Sequence, residues 1–321
     1  MTSSTNLART VSARWPGPQL VSNTQLEVAG LDHRAVTAAV RAGILVRVRR
    51  GVYVRRDVWQ GMSSWERDHL QVEAHWLATG GRSVYSHVSA ARLLGCTVWD
   101  SGSEVHLTVS YSASTSSHSP GVKPHRLVLP EGDLVDAALS SGRRARTTSI
   151  HRTVADCARI LDLERAAVIG DHALRIGASV EGIRAAAERT GAVRGSRRIE
   201  RLLPLLDSRA ESPGETRTRL ALAAAGLPTP QLQFEIPTAE GLFRADFAWP
   251  DVMVILEFDG EAKYFDYRPT PAVLLEERRR ESALIAEGWT LVRARWAELS
   301  VPGTIPAKVL AAFDRARKLA A

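Results

Sequence analysis

The sequence predicts an α/β protein of several domains. Its 321 residues exceed what one hydrophobic core usually organises. Hydrophobic residues make up 45% and charged residues 24% of the chain, as in ordinary globular proteins, which excludes disordered and fibrous classes. The periodicity of the apolar residues changes several times along the chain, from helical spacing to alternation and back. Because no apolar run reaches the roughly 20 residues that cross a bilayer and no leader-like pattern opens the chain, we expect no membrane insertion or secretion.

Basic residues are concentrated at the N-terminus. Residues 1–60 hold nine arginines and three acids, a local net charge of +6 in a chain whose formal charge is +7. Residues 201–321 carry 16 basic and 17 acidic residues, a net charge of −1. This asymmetry favours a polyanionic partner at the N-terminus, most simply nucleic acid. The alternative is a general use of arginine in place of lysine, since the chain has four lysines.

The cysteines and histidines offer no recognisable ligand set. Cys96 and Cys157 are far apart and have no CxxC spacing, so neither a disulfide scaffold nor a structural zinc site is expected, and a cytoplasmic location fits. The scattered histidines of the middle region are each expected to be ordinary core or surface residues. They are His87, His125, His151 and His172.

The first elements are a tail and two helices. Residues 1–19 are polar and end in WPGP, which predicts a flexible tail. Ser22 offers N-cap chemistry for a short helix. A second, amphipathic helix follows and ends at Gly43, and its polar face carries Arg34, Thr37 and Arg41.

The next segment, ILVRVRRGVYVRR, alternates apolar and basic residues around Gly51 and predicts a two-stranded ribbon. Arg47 and Arg49 share one side of it, with Arg50 at the turn. Helix, tight turn, helix and basic ribbon describe a winged helix-turn-helix over residues 20–58. We therefore expect DNA contacts from six residues: Arg34, Thr37, Arg41, Arg47, Arg49 and Arg50.

The pattern of residues 59–207 predicts a middle domain that is first mixed α/β and then helical. The pattern indicates a helix from Trp65 to Thr79 and strands at Val105–Val109 and Arg126–Leu129. Helical periodicity dominates from Arg152 to Leu206.

The segment SRAESPGE predicts a domain boundary at residue 208. From there to residue 321 the pattern gives a helix, three strands, a helix, a strand and a terminal helix. The order of elements is αβββαβα.

Acidic residues stand within these apolar elements. Glu215 opens the first helix, Asp246 lies in a strand, and Glu257 and Asp259 share a face of the next strand. Pairing through the intervening turn is expected to place Ile255 opposite Asp246, with Glu257 as its diagonal neighbour. Converging carboxylates repel one another unless a cation such as Mg²⁺ or Mn²⁺ holds them ionised. All four acids are therefore candidate metal ligands.

The alternative is a solvated acidic rim. Nearby arginines could neutralise such a rim, and Lys263 would then be an ordinary surface lysine. These arginines are Arg244, Arg278, Arg279 and Arg280.

Residues 208–310 resemble the very-short-patch-repair (Vsr)-like branch of the PD-(D/E)xK nucleases. Glu215 is followed in order by RADFAWP, LEFDG, RRRES and GWTLVRARW. The resemblance implies a restriction-endonuclease-like αβββαβ core with Mg²⁺ (or Mn²⁺) bound by Glu215, Asp246 and Glu257. One departure is that Asp259 stands where the superfamily has lysine; Lys263 is expected to take that catalytic role, and Arg280 is a candidate phosphate clamp.

The N-terminal segment VSNTQLEVAGLDHRAVTAAVRAGILVRVRRGVYV resembles the winged-helix domain of AbiEi-family antitoxins, and SVYSHVSAARLLG extends the likeness to about residue 95. These antitoxins are transcriptional autorepressors of type IV toxin–antitoxin systems. The resemblance implies DNA as a partner and a cognate toxin protein as a possible second one.

Together these features predict a metal-dependent DNA endonuclease that hydrolyses phosphodiester bonds and is targeted by its winged helix. The alternative is a non-catalytic transcriptional regulator or antitoxin whose nuclease fold is degenerate. The sequence leaves the oligomeric state and the DNA sequence recognised open.

Overall fold

The structure, a computed structural model, describes residues 2–109, 120–191, 194–260 and 271–320. The chain divides into two compact units, each described by itself below. The first comprises Met1–Ile169 and Ala178–Leu203, and the second Gly170–Gly177 and Pro204–Ala321. Both contain helices and sheets, so the predicted α/β multidomain class is confirmed. Within these ranges, no helix has the length and apolar character needed to cross a membrane.

The N-terminal part of the first unit packs short helices on a small sheet. Ser22 and Asp32 cap two of these helices by accepting hydrogen bonds from the amides of Gln25 and Ala35. The strands lie in the order β1-β3-β2. The elements are α1 (Thr2–Ala13), β1 (Val21–Ser22), α2 (Asn23–Val28), α3 (His33–Arg41), β2 (Leu45–Arg49), β3 (Val52–Arg55) and α4 (Arg56–Gly61).

The first residues of the chain form a helix, so the expected flexible tail over residues 1–19 is wrong. Leu7, Val11 and Trp15 recur every four residues and pack against the core of this part of the unit, with Val11 only 1% exposed. Burial of Leu7 and Val11 on one face stabilises α1 despite its polar composition.

The basic ribbon forms as predicted. Strands β2 and β3 are antiparallel, and Gly51 makes the turn with a φ of +75°. The register shifts between Arg47, which pairs with Tyr53, and Arg49, which pairs with Val52. This bulge separates two arginines that strict alternation would place on one side.

A five-stranded mixed sheet forms the centre of the first unit, in the order β6-β5-β4-β8-β7. β5 pairs with β6 and β4 with β8 in parallel, while the other neighbours are antiparallel. The predicted strand at residues 126–129 lies earlier than expected. The elements are α5 (Ser64–Thr79), β4 (Val84–Tyr85), α6 (His87–Leu93), β5 (Val105–Val109), β6 (Val122–Arg126), β7 (Leu134–Ala138) and β8 (Arg144–Thr148).

Helices follow this sheet, and a buried ion cluster joins them to it. Arg152 is fully buried; its guanidinium donates to Asp156 at 2.9 Å, to Asp133 at 3.2 Å and to the carbonyl of Val128 at 3.0 Å. Both carboxylates are fully buried as well, and each has a second cation: Asp133 also accepts from Arg189 Nε at 3.0 Å, and Asp156 from Arg159 at 3.4 Å. The helices are α7 (Ile150–Ile160), α8 (Leu163–Arg175), α9 (Val180–Arg189) and α10 (Ser196–Leu202).

The second unit has a four-stranded sheet in the order β12-β11-β10-β9, in which β11 and β12 are parallel. Its elements follow the order that the sequence predicts, with a short additional helix after the last strand. They are α11 (Pro213–Ala224), β9 (Gln231–Thr238), β10 (Gly241–Trp249), β11 (Val254–Asp259), α12 (Pro271–Ala286), β12 (Thr290–Arg295), α13 (Trp296–Leu299) and α14 (Thr304–Ala320). Phe247 and Leu256 are central to a core that also includes Val309 of α14.

Candidate functional site

The polar face of α3 is presented to solvent. Val36 and Ala39 are buried in the core, which turns Arg34 and Arg41 outward, while Thr37 is half-buried between them. All three predicted residues line one shallow concavity of about 670 Å³. The structure therefore brings together the helical half of the predicted DNA-binding set.

The ribbon arginines do not act as one group. Arg47 and Arg50 are exposed. Arg49 is half-buried and donates to the carbonyls of Gln71 at 3.4 Å and Gly121 at 3.3 Å. Burial lowers the pKa of its guanidinium. Arg49 therefore makes structural contacts within the first unit, whereas Arg47 and Arg50 remain accessible to a phosphate backbone.

The N-terminus of α11 holds Glu215 in a buried position. Ser212 caps the helix, with its hydroxyl accepting from the Glu215 amide at 3.2 Å. Gly214 has no side chain, and a Cβ there would overlap the ring of Phe258 on β11. Glu215 is 7% exposed, and its Oε2 accepts from Gln233 Nε2 at 3.0 Å and from a backbone amide. The close approach that Gly214 allows thus brings this carboxylate to the sheet.

Asp246 on β10 and Glu257 on β11 lie opposite each other on neighbouring strands. Phe247 pairs with Leu256, which puts Glu257 directly opposite Asp246. The predicted diagonal register is wrong by two residues. The turn between the strands contains four unpaired residues instead of the expected two, because a 3₁₀ turn is followed by Met253 with a φ of +52°. The direct pairing brings the two acids closer than the sequence predicts.

Backbone amides orient this pair. The Phe258 amide donates to Asp246 Oδ2 at 2.7 Å, and the Asp246 amide donates to Glu257 Oε1 at 3.3 Å. Burial raises the pKa of Asp246 to about 6, and the charge of Glu215 adds to this increase. Burial, followed by repulsion from Asp246, raises the pKa of Glu257 to about 8. Such a pair is poorly stabilised as two anions unless a cation is present.

Two of the other predicted members of the acidic site lie within the described residues. Asp259 lies at the end of β11 and is half-exposed. Arg280 is exposed on α12 and pairs with Glu276 at 2.9 Å, one turn away. Lys263, the expected catalytic lysine, lies outside the described residues. The structure thus groups Glu215, Asp246 and Glu257 and leaves the catalytic role of Lys263 as a prediction.

A second polar cluster was missed by the sequence reasoning. His87, His106 and His125 offer ring nitrogens that all lie within 4.8 Å of one another, and in the described part of the chain this is the one set of three such side chains so close together. The three carboxylates of the second unit are therefore less tightly grouped. The cluster could have been found only from the parallel pairing of β5 and β6, which aligns Thr108 with His125.

Burial keeps these imidazoles uncharged. Desolvation, reinforced by repulsion from His125, lowers the pKa of His106 to about 3. Desolvation lowers the pKa of His125 to about 4, with Lys123 adding to the decrease. The pKa of His87 is also lowered, mainly by burial. At neutral pH the cluster is three neutral rings in a cationic environment.

One segment of the chain is similar to a known family of regulators. Residues 17–56, which contain the capped helices and the ribbon, match a family described as "Transcriptional regulator, AbiEi antitoxin". This match covers the N-terminal part of the expected resemblance.

Over most of its length the chain is similar to two proteins of Mycobacterium tuberculosis. They are "Uncharacterized protein Rv2248" of strain ATCC 25618 / H37Rv and "Uncharacterized protein MT2308" of strain CDC 1551 / Oshkosh. Each is 32% identical over 278 residues, which is 85% of this chain and 96% of the relative. The chain belongs to the same family as these two proteins.

Proposed function

We propose that this protein is a DNA-binding transcriptional regulator of the antitoxin type, with a winged helix-turn-helix at its N-terminus. The observation that carries this proposal is the basic surface formed by α3 and the ribbon, within the segment that matches the AbiEi regulators. This choice reverses the order of the two functions that the sequence predicts, because the match supports the regulator rather than the nuclease.

The two parts of the basic surface have different tasks. Helix α3 enters the major groove, where Arg34 and Arg41 reach base edges, since its opposite face is buried in the core. Arg47 and Arg50 on the ribbon bind phosphates and fix the orientation. Arg49 holds the ribbon to the rest of the unit through its two carbonyl partners.

A cognate toxin is the proposed protein partner. The matched family is described by the word antitoxin, and this description supports the expectation of a toxin. Co-purification of the tagged full chain with the product of a neighbouring gene, followed by a toxicity rescue assay, tests this part of the proposal.

DNA binding is tested by fluorescence anisotropy with duplexes that tile the DNA upstream of the protein's own gene. Each phosphate contact contributes about 0.9 to the slope of log affinity against log salt, so Arg47→Ala with Arg50→Ala should lower the slope by about 1.8. The matched control replaces Arg184 and Arg317, exposed arginines elsewhere on the chain, and removes the same charge. An equal change in slope for both double variants would refute the assignment.

Phosphodiester hydrolysis is a second candidate function, favoured by the grouping of Glu215, Asp246 and Glu257. Hard carboxylate oxygens are the ligands that Mg²⁺ and Mn²⁺ prefer. Burial raises the pKa values of Asp246 and Glu257, so a bound cation would favour the ionised form of both. These three residues would hold the ion. A bound Mg²⁺ would polarise a phosphoryl oxygen and activate a water molecule for attack. The amides of Glu211 and Phe258 hold the carboxylates of Glu215 and Asp246 in place.

One set of variants distinguishes the two candidate functions. If the second unit is a nuclease, supercoiled plasmid should be nicked with Mg²⁺ or Mn²⁺, and Glu257→Gln should abolish nicking while DNA affinity stays unchanged. Glu240→Gln removes the same charge from an exposed turn and serves as the control. Unaltered nicking by Glu257→Gln would exclude this site as its source.

A further inference from the structure

Three histidines from three elements meet in the first unit. His87 begins α6, His106 lies in β5 and His125 in β6. Nδ1 of His106 is 3.0 Å from Nε2 of His125, and the rings of His87 and His125 stack with their centroids 3.7 Å apart. Two nitrogens that share a tetrahedral zinc ion at about 2.0–2.1 Å lie roughly 3.3 Å apart. The ring nitrogens of all three histidines lie within 4.8 Å of one another, which is close to this spacing.

Neighbouring hydroxyl groups fix two of these histidines. Ser86 Oγ is 2.9 Å from Nδ1 of His87, leaving Nε2 of that ring as the nitrogen for a ligand role. Ser89 Oγ accepts from the backbone amide of His106 at 2.8 Å. Ser86 and Ser89 are fully buried, so these contacts are sheltered from water. A hydrogen bond to the second ring nitrogen is the usual way in which proteins orient a metal-binding histidine.

The backbone at His87 is also held in an unusual conformation. Its φ is +50°, in the left-handed region that a residue with a side chain seldom occupies. Strained conformations of this kind are concentrated at functional sites. The His87 ring stacks on His125. If the helix needed only an apolar contact at this position, a leucine would provide it without the cost of burying ring nitrogens.

The cluster borders a cavity of about 720 Å³ whose lining is strongly basic. None of the described residues that line it is a carboxylate. Its cations are Lys123, Arg126, Arg159, Arg194 and Arg198. A divalent ion bound to neutral imidazoles would be repelled by these charges unless an anion completed its coordination.

We propose that His87, His106 and His125 bind one divalent transition metal ion of the zinc class, with a small oxyanion as the fourth ligand. Three imidazoles would leave one position of a tetrahedral ion open, and His87 and His125 both line the basic cavity that would supply the anion. The cationic side chains of the cavity hold the anion, apart from Arg159, whose guanidinium donates to Asp156, to the carbonyl of Ala187 and to Thr190. This site is separate from the carboxylates of the second unit and from the proposed DNA surface.

Isothermal titration of the full chain with Zn²⁺ tests this proposal. We expect one ion per chain, an affinity at least about 100-fold weaker in His125→Gln, and about 10-fold weaker in Ser86→Ala, which removes only the orienting hydroxyl. His125 is the least buried of the three and so the safest to replace, and the exposed His33→Gln is the matched control. Equal affinities for His125→Gln and His33→Gln would overturn the site.

Two further measurements do not depend on a variant that folds. Co²⁺ added to the unaltered chain should give the visible absorption of a tetrahedral complex, and Zn²⁺ should displace it and raise the Tm. Replacing chloride by sulfate at equal ionic strength should strengthen Zn²⁺ binding, because sulfate can occupy the basic cavity. Absence of both the Co²⁺ band and the Tm shift would mean that the histidines form only a hydrogen-bonded stack. An affinity that does not respond to sulfate would exclude the oxyanion.

Discussion

The stability of the second unit should fall as pH rises, and Glu257→Gln should remove most of this dependence. The side chain of Glu257 has a pKa of about 8 in the folded protein against a usual value of 4.5. Below about pH 4.5 it is protonated whether the chain is folded or unfolded. Between that pH and 8 the unfolded chain releases its proton while the folded one retains it, so unfolding becomes progressively more favourable.

The size of the effect follows from the width of this interval. At 1.36 kcal/mol per pKa unit, the difference between 4.5 and about 8 corresponds to roughly 4–5 kcal/mol. Asp246 contributes in the same direction between its usual value of 3.8 and about 6. Repulsion from Asp246 is one of the causes of the Glu257 shift, so the two contributions are not independent, and the larger one alone sets the expected magnitude. We expect a loss of about 4 kcal/mol from pH 4.5 to pH 8 in metal-free buffer.

Urea denaturation followed by tryptophan fluorescence measures this loss. Glu257→Gln keeps the shape of the side chain without a titratable proton, so the variant should be more stable than the unaltered protein at pH 8 and similar to it at pH 4.5. Mg²⁺ or Mn²⁺ at pH 8 should stabilise the unaltered protein and not the variant. Glu240→Gln, in an exposed turn, should behave like the unaltered protein. Parallel pH profiles for the unaltered protein and Glu257→Gln would refute the reasoning.

Three further substitutions test the packing on which the sites depend. Arg152→Ala leaves Asp133 with Arg189 and Asp156 with Arg159 as their remaining cations, so it should destabilise the first unit by about 3 kcal/mol, the lower end for a broken buried pair. Arg184→Ala at an exposed ion pair should cost less than about 1 kcal/mol in thermal denaturation. Gly214→Ala should lower stability by about 1–3 kcal/mol through overlap with Phe258, and adding Phe258→Leu should restore part of it; no rescue would contradict that contact. Arg49→Ala should lower the Tm, because the variant loses two hydrogen bonds to carbonyl groups. A loss of DNA affinity without a change in Tm would instead show that Arg49 contacts DNA.

Local patterns predicted the basic surface well, because helical spacing and strand alternation are properties of short segments. The burial of Val36 and the exposure of Arg34 follow from one helical period, and the ribbon follows from alternation around Gly51. The position of Arg49 could not be predicted in this way. A bulge and a contact with the carbonyl of Gly121, 72 residues away, decide it.

Features that depend on distant pairing were predicted less well. Strand parity placed Glu257 on the same face as Asp246, but the register depended on the backbone of Met253, which no alternation encodes. The histidine cluster needed the parallel pairing of β5 with β6, and the strand containing His125 was expected several residues later. Helix α1 was missed because its stability comes from packing rather than from its own composition.

The energetic cost of the Asp246 and Glu257 pair bears on the choice between a catalytic and a purely structural second unit. A loss of about 4 kcal/mol is a large fraction of the roughly 5–15 kcal/mol by which domains are usually stable. A scaffold would avoid it with one amide, since Gln at position 257 could keep the hydrogen bond from the Asp246 amide through its side-chain oxygen. Glu215, whose charge raises the pKa of both members, adds to the cost although it too has a neutral isostere. Three acids grouped at the expense of stability are expected where a cation offsets their repulsion. The pair therefore supports the proposal that the second unit binds a metal ion, with or without hydrolysis.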